Sequence, residues 1–383
     1  MSTMSTKIER IEITFHQLPL DPPFLPAWDT QARKKFPATI VRVYDGDGRM
    51  GIGSGDAMYG FADFEYLFIG QEADQLERHN AVIQNIGFHA GRCFPLEIAI
   101  WDLVGQQRGE PCWKMAGGGR QSLTVYASSG AHRSPEETLN QVQRFIDEGY
   151  PAAKLRFGRP RLEDDLAVIS YVANAVSGKI KIMVDCNQGW RMPWDTALPW
   201  DLKYALTVAK TLEDAGVYWM EEPLYRGDYE NMAALRSQMK TLKIAGAELT
   251  REPYEFDELL SRDCLDIYQP DVAVTLGMYG LTKMAEKVIA KGRIFSPHTW
   301  GNGIGFMGNA HITAGVNKPD QELYLEFPHD PPEWTRERRD FILTEPITVN
   351  SQGILTLSDT PGLGITLNED LLKHTKSANQ TYV

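Results

Sequence analysis

A chain of 383 residues, 43% hydrophobic and 23% charged, has the composition of an ordinary globular protein with enough apolar material for a large core. Its net charge of −12 disfavours nucleic acid as a partner, because a phosphate backbone binds to basic surfaces. No apolar run approaches the ~20 residues that a membrane helix needs, and the N-terminus lacks the apolar segment of a secretory signal. We therefore expect no membrane partner and a cytoplasmic location.

The strand, turn and helix patterns of residues 1–121 predict an α+β region. Ala38–Tyr44 is typical of a strand, and the turn sequence Asp45–Gly48 predicts a hairpin to the next strand. The Gly-rich stretch Met50–Asp56 lacks the full spacing of a dinucleotide-binding loop and opens no clear helix, so a hairpin strand is the favoured interpretation. Gln71–Met115 is predicted to be mostly helical.

Residues 122–343 have a different organisation, in which short apolar β-rich runs alternate with longer amphipathic segments about every 30 residues. This alternation predicts a parallel sheet, and eight strands in series favour a closed barrel over an open doubly wound sheet. The candidate strands are Leu123–Ser128, Ala152–Arg156, Ile180–Cys186, Val217–Glu221, Lys243–Glu248, Leu265–Pro270, Arg293–Pro297 and Glu322–Glu326. Residues 344–383 contain strand and turn patterns again, and we expect them to return to the N-terminal region.

Ionisable residues end seven successive candidate strands, from the second to the eighth. In a parallel barrel these ends converge on one face, where the active sites of this fold lie. One such residue alone would be explained as a solvated charge at a loop start, but the repetition at the same position in each unit indicates a site. The residues are Lys154 and Arg156, Asp185, Glu221, Glu248, Asp271, His298 and Glu326.

Asp185, Glu221 and Glu248 are carboxylates on consecutive strands, and they would repel one another unless a cation lay between them. Oxygen ligands suit a hard ion, Mg²⁺ or Mn²⁺. Zinc would favour His or Cys, and the adjacent Cys186 faces the opposite side of its strand. Glu222 also faces away, and we expect it to form a salt bridge outside the site.

This series of strand-end residues resembles the mandelate racemase-like branch of the enolase superfamily over nearly the whole chain. The segments Ala99–Gly105 and Pro361–Gly364 are also similar to that family. The resemblance implies a modified (β/α)₇β barrel under an α+β capping domain built from both chain ends, which gives domains at 1–121, 122–343 and 344–383. It also implies Mg²⁺ held by the three carboxylates, and a homo-oligomer, either an octamer or a dimer.

In this family the reaction is removal of the proton α to a carboxylate, giving an enediolate. The resemblance makes His298 the base and Asp271 the partner of its other ring nitrogen. It places Lys154 against the substrate carboxylate and Glu326 in a hydrogen bond opposite the metal. Four residues are candidate substrate contacts, namely Asn187, Gln188, Trp190 and His16.

The chain departs from the family's racemases at the second strand, where Lys154-Leu-Arg156 replaces a Lys-x-Lys motif. Arginine remains protonated and makes a poor base, so only one face of the substrate has a base. This favours syn dehydration of a 2R aldonic or aldaric acid to a 2-keto-3-deoxy acid, with Arg156 contacting the substrate or neutralising charge.

Three alternatives remain open. A racemase, epimerase or cycloisomerase of a hydroxy acid or acid-sugar lactone would use the same scaffold. A nucleotide-dependent enzyme lacks a phosphate-binding motif. A non-catalytic binding protein would be expected to have lost some of these residues.

Overall fold

The computed structural model describes residues 6–55 and 57–383. Met1–Ser5, at the start of the predicted capping domain, and Asp56, the last residue of the Gly-rich stretch, lie outside the described residues. Within the described ranges, the strands are β1 (Ile8–Phe24), β2 (Arg33–Asp45), β3 (Met50–Gly55), β4 (Ser122–Ser128), β5 (Ala152–Arg156), β6 (Lys181–Asp185), β7 (Trp219–Glu221), β8 (Lys243–Gly246), β9 (Ile267–Tyr268), β10 (Ile294–Phe295), β11 (Leu325–Pro328), β12 (Ile354–Thr356) and β13 (Lys376–Tyr382).

The helices of the same ranges include seven that alternate with the barrel strands. Two short 3₁₀ helices, Phe61–Asp63 and Glu65–Leu67, precede the first α-helix. The α-helices are α1 (Leu76–His89), α2 (Phe94–Arg108), α3 (Cys112–Met115), α4 (Pro135–Asp147), α5 (Leu162–Val176), α6 (Leu202–Asp214), α7 (Tyr229–Gln238), α8 (Pro253–Ser261), α9 (Gly277–Ala290), α10 (Gly303–Val316), α11 (Arg336–Arg339) and α12 (Glu369–Thr375).

Strands β4 to β11 form the parallel sheet of a modified TIM barrel, as the alternation of strands and helices predicted. Each strand from β4 to β9 pairs with the next along the chain, and β11 pairs with β4, so the sheet curls back toward its start. Between β10 and β11 the Ser296 hydroxyl donates to the carbonyl of Tyr324. Several strands are shorter than predicted, and the sixth strand of the barrel, β9, spans only Ile267–Tyr268.

The barrel interior is filled at its base by one side chain from each of six strands: Tyr126, Ala152, Met183, Trp219, Ala245 and Ile267. Tyr126 and Trp219 meet edge to face, with ring centroids 5.1 Å apart. Both faces of the sheet are therefore buried, which explains the nearly continuous apolar strands. The ionisable residues lie where these apolar runs end.

A second sheet, with strand order β13-β1-β2-β3, is antiparallel and joins the two ends of the described chain. Helix α2 packs directly on β3. A Cβ atom added to Gly51 would lie 2.1 Å from the carbonyl oxygen of Ala99, and one added to Gly53 would lie 1.9 Å from that of Pro95. The glycines therefore serve the close approach of strand and helix, and the strand interpretation of this Gly-rich stretch is confirmed.

The C-terminal segment contacts both parts of the molecule. Strand β13 pairs with β1, whereas β12 pairs antiparallel with β4 of the barrel. The Asp102 carboxylate of α2 accepts hydrogen bonds from the backbone N–H of Ile52 at 2.8 Å and of Leu363 at 2.7 Å. The two segments similar to the enolase superfamily, Ala99–Gly105 and Pro361–Gly364, therefore meet in space. The domain boundaries after residues 121 and 343 remain our proposal.

Among the described residues, no helix combines the length and apolar character needed to cross a membrane. The cytoplasmic location and the homo-oligomer remain predictions.

Candidate active site

Three buried carboxylates come together at the C-terminal end of the barrel. Asp185 and Glu221 are the last residues of β6 and β7, and Glu248 follows the end of β8 by two positions. They are 1%, 0% and 4% exposed, respectively. One ligand oxygen from each lies within 4.8 Å of those of the others.

Neighbouring groups hold two of these carboxylates in place. Asp185 Oδ1 accepts from the backbone N–H of Asn187 at 2.8 Å, and Asn187 has a left-handed φ of 50°. The indole N–H of Trp190 donates to Glu248 Oε1 at 2.7 Å. Asn187 and Trp190, both predicted as substrate contacts, therefore lie beside the carboxylates.

Glu221 has three donors of its own. Lys154 donates to Oε1, while Trp219 Nε1 and Gln269 Nε2 donate to Oε2 at 3.1 and 2.8 Å. Gln269 was not among the predicted site residues. Its position directly after β9 and two residues before Asp271 is the signal that would have identified it.

The three carboxylates fit a hard divalent cation. Oxygens about 2.1 Å from one Mg²⁺ ion are about 3 to 4 Å from each other, which is compatible with the spacing here. The balance of charge also favours a bound cation, because two permanently charged cations, Lys154 and Arg156, contact this group of five carboxylates. Those carboxylates are Asp185, Glu221, Glu248, Asp271 and Glu326.

Burial raises the pKa values of Asp185 and Glu221, although Arg156 and Lys154 oppose the shift. A bound cation would offset the cost of burying these charges.

His298 and Asp271 form a hydrogen-bonded pair beside this cluster. His298 Nδ1 lies 2.9 Å from Asp271 Oδ2, and His298 Nε2 lies 3.8 Å from Glu248 Oε2. Burial lowers the pKa of His298, but Glu248 and Asp271 outweigh it and raise the value to about 10. A dication held by Glu248 would counteract that carboxylate's effect on the imidazole.

Asp271 is itself fixed by a residue that the sequence did not indicate. Its Oδ1 accepts from Asn309 Nδ2 at 3.0 Å and from the Ala273 N–H at 2.7 Å. Asn309 also accepts from the N–H of Val272 at 3.0 Å. The available signal is an amide side chain within the largely apolar helix α10.

Lys154 bridges two carboxylates at the mouth of the barrel. Besides its bond to Glu221, its Nζ lies 2.8 Å from Glu326 Oε1. Glu326 also accepts from the Ser128 hydroxyl and the Thr299 N–H, each at 2.7 Å. Burial raises the pKa of Glu326, but Lys154 and His298 outweigh this and hold it well below its usual range. Glu326 is therefore an ionised acceptor in this arrangement.

Arg156 is held as a fixed cation. Its guanidinium pairs with Asp185, donates from Nε to the carbonyl of Ser129 at 2.7 Å, and donates from Nη2 to the Ser128 hydroxyl at 3.0 Å. Its Cζ also lies 4.8 Å and 5.2 Å from the ring centroids of Trp28 and Trp300.

A cavity of about 270 Å³ opens onto these groups. Its lining is Trp28, Arg33, Arg156, Asn187, Trp190, Glu248, Leu249, Val274, His298 and Trp300. A second cavity of about 570 Å³ adjoins it and is also lined by Trp28, Asn187 and Trp190. Gln188 lines the second cavity and not the first, and its side-chain Oε1 accepts from Arg191 Nη2 at 2.7 Å.

His16 lies away from this group, contrary to expectation. It is part of β1, and its ring nitrogens lie 2.9 Å from the Thr14 hydroxyl and 3.1 Å from that of Thr375. Burial lowers its pKa to about 4. The side chain faces the C-terminal helix α12 because of its position along the strand, so we withdraw His16 as a substrate contact.

Glu222 also differs from expectation, because the predicted salt bridge does not form among the described residues. The side chain is buried, and its Oε2 has no hydrogen-bond partner within the described ranges. Burial raises the pKa of this carboxyl well above its usual value, with Glu248 adding to the shift. Its φ of 46° turns the side chain toward Gly189, outside the metal cluster.

Comparison with known proteins identifies the family of this chain. The family model described as enolase C-terminal domain-like matches residues 137–371. Arabinonate dehydratase of Saccharolobus solfataricus is 26% identical over 284 residues, covering 73% of this chain and 71% of that protein. D-galactarolactone cycloisomerase of Agrobacterium fabrum is 29% identical over 328 residues, covering 79% of this chain and 80% of that protein.

The fold is also that of a solved enzyme. The structure of L-talarate dehydratase from Polaromonas sp. JS666, complexed with Mg and L-glucarate, has a TM-score of 0.80 and 22% identity with this chain. The match covers 98% of this chain and 99% of that one. At that identity the likeness shows the fold alone.

Proposed function

The chain belongs to the enolase C-terminal domain-like family, and on that premise we propose that it is an Mg²⁺-dependent acid-sugar dehydratase. The reaction is syn dehydration of a 2R aldonic or aldaric acid to a 2-keto-3-deoxy acid. Relatives that dehydrate acid sugars, such as arabinonate dehydratase, support the reaction class. Asp185, Glu221 and Glu248 would hold the ion, which would neutralise charge developing on the substrate carboxylate.

His298 is the base in this proposal. Because its Nδ1 is bonded to Asp271, Nε2 is the nitrogen available to take the proton from C2. The imidazolium then donates that proton to the C3 hydroxyl on the same face. The C2–H and C3–O bonds break, a C2–C3 double bond forms, and water leaves. The resulting enol converts to the 2-keto acid.

One observation carries the choice of dehydration. Among the described residues that line the catalytic cavity, His298 is the one base that is not a metal ligand. Arg156, at the end of β5, is paired with Asp185 and packed against two indoles, so it supplies positive charge and not a second base. A racemase needs a base on each face, whereas syn elimination needs only one.

The remaining polar groups position the substrate. Lys154 would bind the substrate carboxylate while Glu221 and Glu326 hold its ammonium group. Glu326 would accept a hydrogen bond from a substrate hydroxyl, because it is ionised here.

A cycloisomerase is the second candidate, and the relationship to D-galactarolactone cycloisomerase favours keeping it. That reaction also starts from removal of an α proton, but no water is lost. The two candidates differ in their products.

The test is a screen of acid sugars with Mg²⁺ in D₂O that scores 2-keto acid formation and α-deuterium uptake. We expect keto acid from a 2R aldonate or aldarate, with no product from His298→Asn and unchanged turnover by the matched surface variant His374→Asn. Deuterium uptake with inversion and no keto acid would replace this proposal with a racemase. Isomerised lactone would replace it with a cycloisomerase, and exchange only in 2S acids would reverse the facial assignment.

A further inference from the structure

The second cavity has no part in the chemistry proposed above. Its walls are the segment Pro23–Thr30, the loop after β5 and the long loop after β6 that carries Trp190 and Trp200. It adjoins the catalytic cavity along Trp28, Asn187 and Trp190, so a substrate bound at His298 can extend into it.

The sizes of the two cavities indicate a long substrate. At about 270 Å³ the catalytic cavity is smaller than the roughly 300–1,000 Å³ that is usual for small-molecule sites. The adjoining cavity is about 570 Å³, roughly twice as large, and remains open to solvent at its outer rim. A substrate that fills both is larger than a single six-carbon acid.

The charged side chains lining the second cavity already have partners, which disfavours a charged occupant. Burial, with Arg159 adding to it, lowers the pKa of His132, so this residue brings no permanent charge. The pairs are Arg159 with Asp165 at 2.7 Å, Arg191 with Asp195 at 3.6 Å, Glu333 with Arg133 at 2.7 Å, and Asp29 with the Trp194 indole N–H at 3.0 Å. A second carboxylate of the substrate would find no free cation among these lining residues.

Four aromatic side chains also line the second cavity. Trp28 and Trp190 line both cavities, and Trp200 and Tyr204 line the second one, where their ring centroids are 4.9 Å apart. Flat apolar rings beside hydrogen-bonding amides suit the C–H faces and hydroxyl groups of a sugar ring. Trp190 and Trp200 both belong to the Trp-rich loop Gly189–Trp200.

We propose that the substrate is a 2R aldonic acid that carries a neutral glycosyl group at C4 or beyond, with that group bound in the second cavity. This rests on the proposed dehydration and narrows its substrate from aldonic or aldaric acids to glycosylated aldonic acids. Carbons 1 to 3 carry the carboxylate, the abstracted proton and the departing hydroxyl. The glycosidic bond at C4 is untouched, so the product is a glycosylated 2-keto-3-deoxy acid plus water.

The first test compares kcat/KM of the Mg²⁺-loaded enzyme for 2R aldonates, their 4-O-glycosyl derivatives and the corresponding aldarates. Gluconate with its 4-O-glucosyl and 4-O-galactosyl derivatives is one such series. We expect the best glycosylated acid to exceed its parent aldonate and aldarate at least 10-fold. Equal or higher values for the parent or the aldarate would overturn the proposal.

Two variants locate the effect. Ala197→Trp fills the second cavity from an exposed loop position, and Tyr204→Ala removes one of its aromatic walls. Each should lower the ratio of kcat/KM between glycosylated and parent acid at least 5-fold. The controls Ala290→Trp and Tyr171→Ala alter exposed residues that line neither cavity and should leave this ratio unchanged. A ratio that none of the variants alters would count against this binding mode.

A binding measurement separates this proposal from the proposed function. Calorimetry with Mg²⁺-loaded His298→Asn should give at least 10-fold tighter binding of the glycosylated acid than of its parent. Tighter binding without keto-acid formation by the wild type would support the cavity and overturn the dehydration. Equal binding would overturn the glycosyl site whatever the reaction.

Discussion

Asn309 is a residue outside the proposed substrate contacts that can orient the proposed base His298. The His298 imidazole is oriented by Asp271, and Asp271 is oriented by the Asn309 amide and a backbone N–H. A hydrogen bond to a charged group contributes about 1.5–3 kcal/mol. Its loss at Asp271 would therefore also loosen the orientation of His298.

Asn309→Ala should lower kcat about 10- to 100-fold with little change in KM, because binding groups remain while the base loses its orientation. Steady-state kinetics with any turned-over acid sugar checks this. Asn317→Ala is the control, since Asn317 is a buried amide directly after the same helix, and its side chain donates to the Thr313 carbonyl. Equal losses in both variants would indicate a general effect on α10.

The three metal-ligating candidates concentrate negative charge that the protein only partly neutralises. A cation bound there stabilises the folded state by mass action, about 2.7 kcal/mol at a concentration a hundredfold above Kd. We expect Mg²⁺ to raise Tm of the wild type and a chelator to lower it again. Asp185→Asn should lose most of this shift, whereas Asp214→Asn, an exposed control on α6, should keep it. An undiminished shift in Asp185→Asn would place the ion elsewhere.

At the scale of elements, helix α10 of the barrel contacts both the N-terminal helical region and the C-terminal segment through His311. Asn302 caps its N-terminus by accepting from the N–H groups of Ile304 and Gly305. Further along, His311 Nδ1 accepts from the Trp113 N–H at 3.0 Å, and its Nε2 donates to the Leu363 carbonyl at 3.1 Å. This pairing requires a neutral ring, and burial lowers the pKa of His311 to about 4.

The folded-state pKa of His311 is therefore below its unfolded value of about 6.5, so the unfolded chain binds this proton first. Its contribution to stability is complete above pH 6.5 and is lost as the pH falls toward 4. Relative to His311→Gln, the wild type should lose about 3 kcal/mol of unfolding free energy over that range. Urea unfolding at several pH values measures the difference, with His374→Gln as the exposed control. Parallel pH profiles for wild type and His311→Gln would contradict this account.

At the scale of the whole molecule, the last strand, β13, forms one edge of the antiparallel sheet β13-β1-β2-β3. β13 pairs with β1 from Ile11 opposite Tyr382 to His16 opposite Lys376, and its side chains are mostly exposed. Its contribution therefore comes mainly from main-chain pairing that covers the edge of β1.

Truncation after Thr375 should leave the barrel folded but expose the β1 edge to other molecules. We expect Mg²⁺ to produce a Tm shift as in the full chain, together with concentration-dependent association in sedimentation velocity. A truncated protein that stays in the full-length assembly state at all concentrations would contradict the edge argument. Loss of the Mg²⁺ response would mean that the barrel depends on this strand.

The sequence predicted those parts of the molecule that local periodicity controls. Alternating apolar strands and amphipathic helices indicated the barrel, and the enolase-like resemblance indicated the capping sheet from both ends; the fold confirms both. The series from Lys154 to Glu326 was visible because these residues lie at or near the C-terminal ends of seven successive strands. Its convergence at one face follows from parallel strand direction. The roles assigned to these residues stay predictions.

Only the tertiary structure decided which side chains meet across long separations. Asn309 and Asp271 are 38 residues apart, and Ser128 and Glu326 are 198 apart, so no local pattern connects them. His16 was misplaced for the same reason, because its partner Thr375 is 359 positions away. The sequence determined the repeating units and the charges at their ends, since both depend on near neighbours. Packing alone determined the hydrogen-bond partners, the contact of Arg156 with two indoles and the second cavity, since these depend on how distant segments fill shared space.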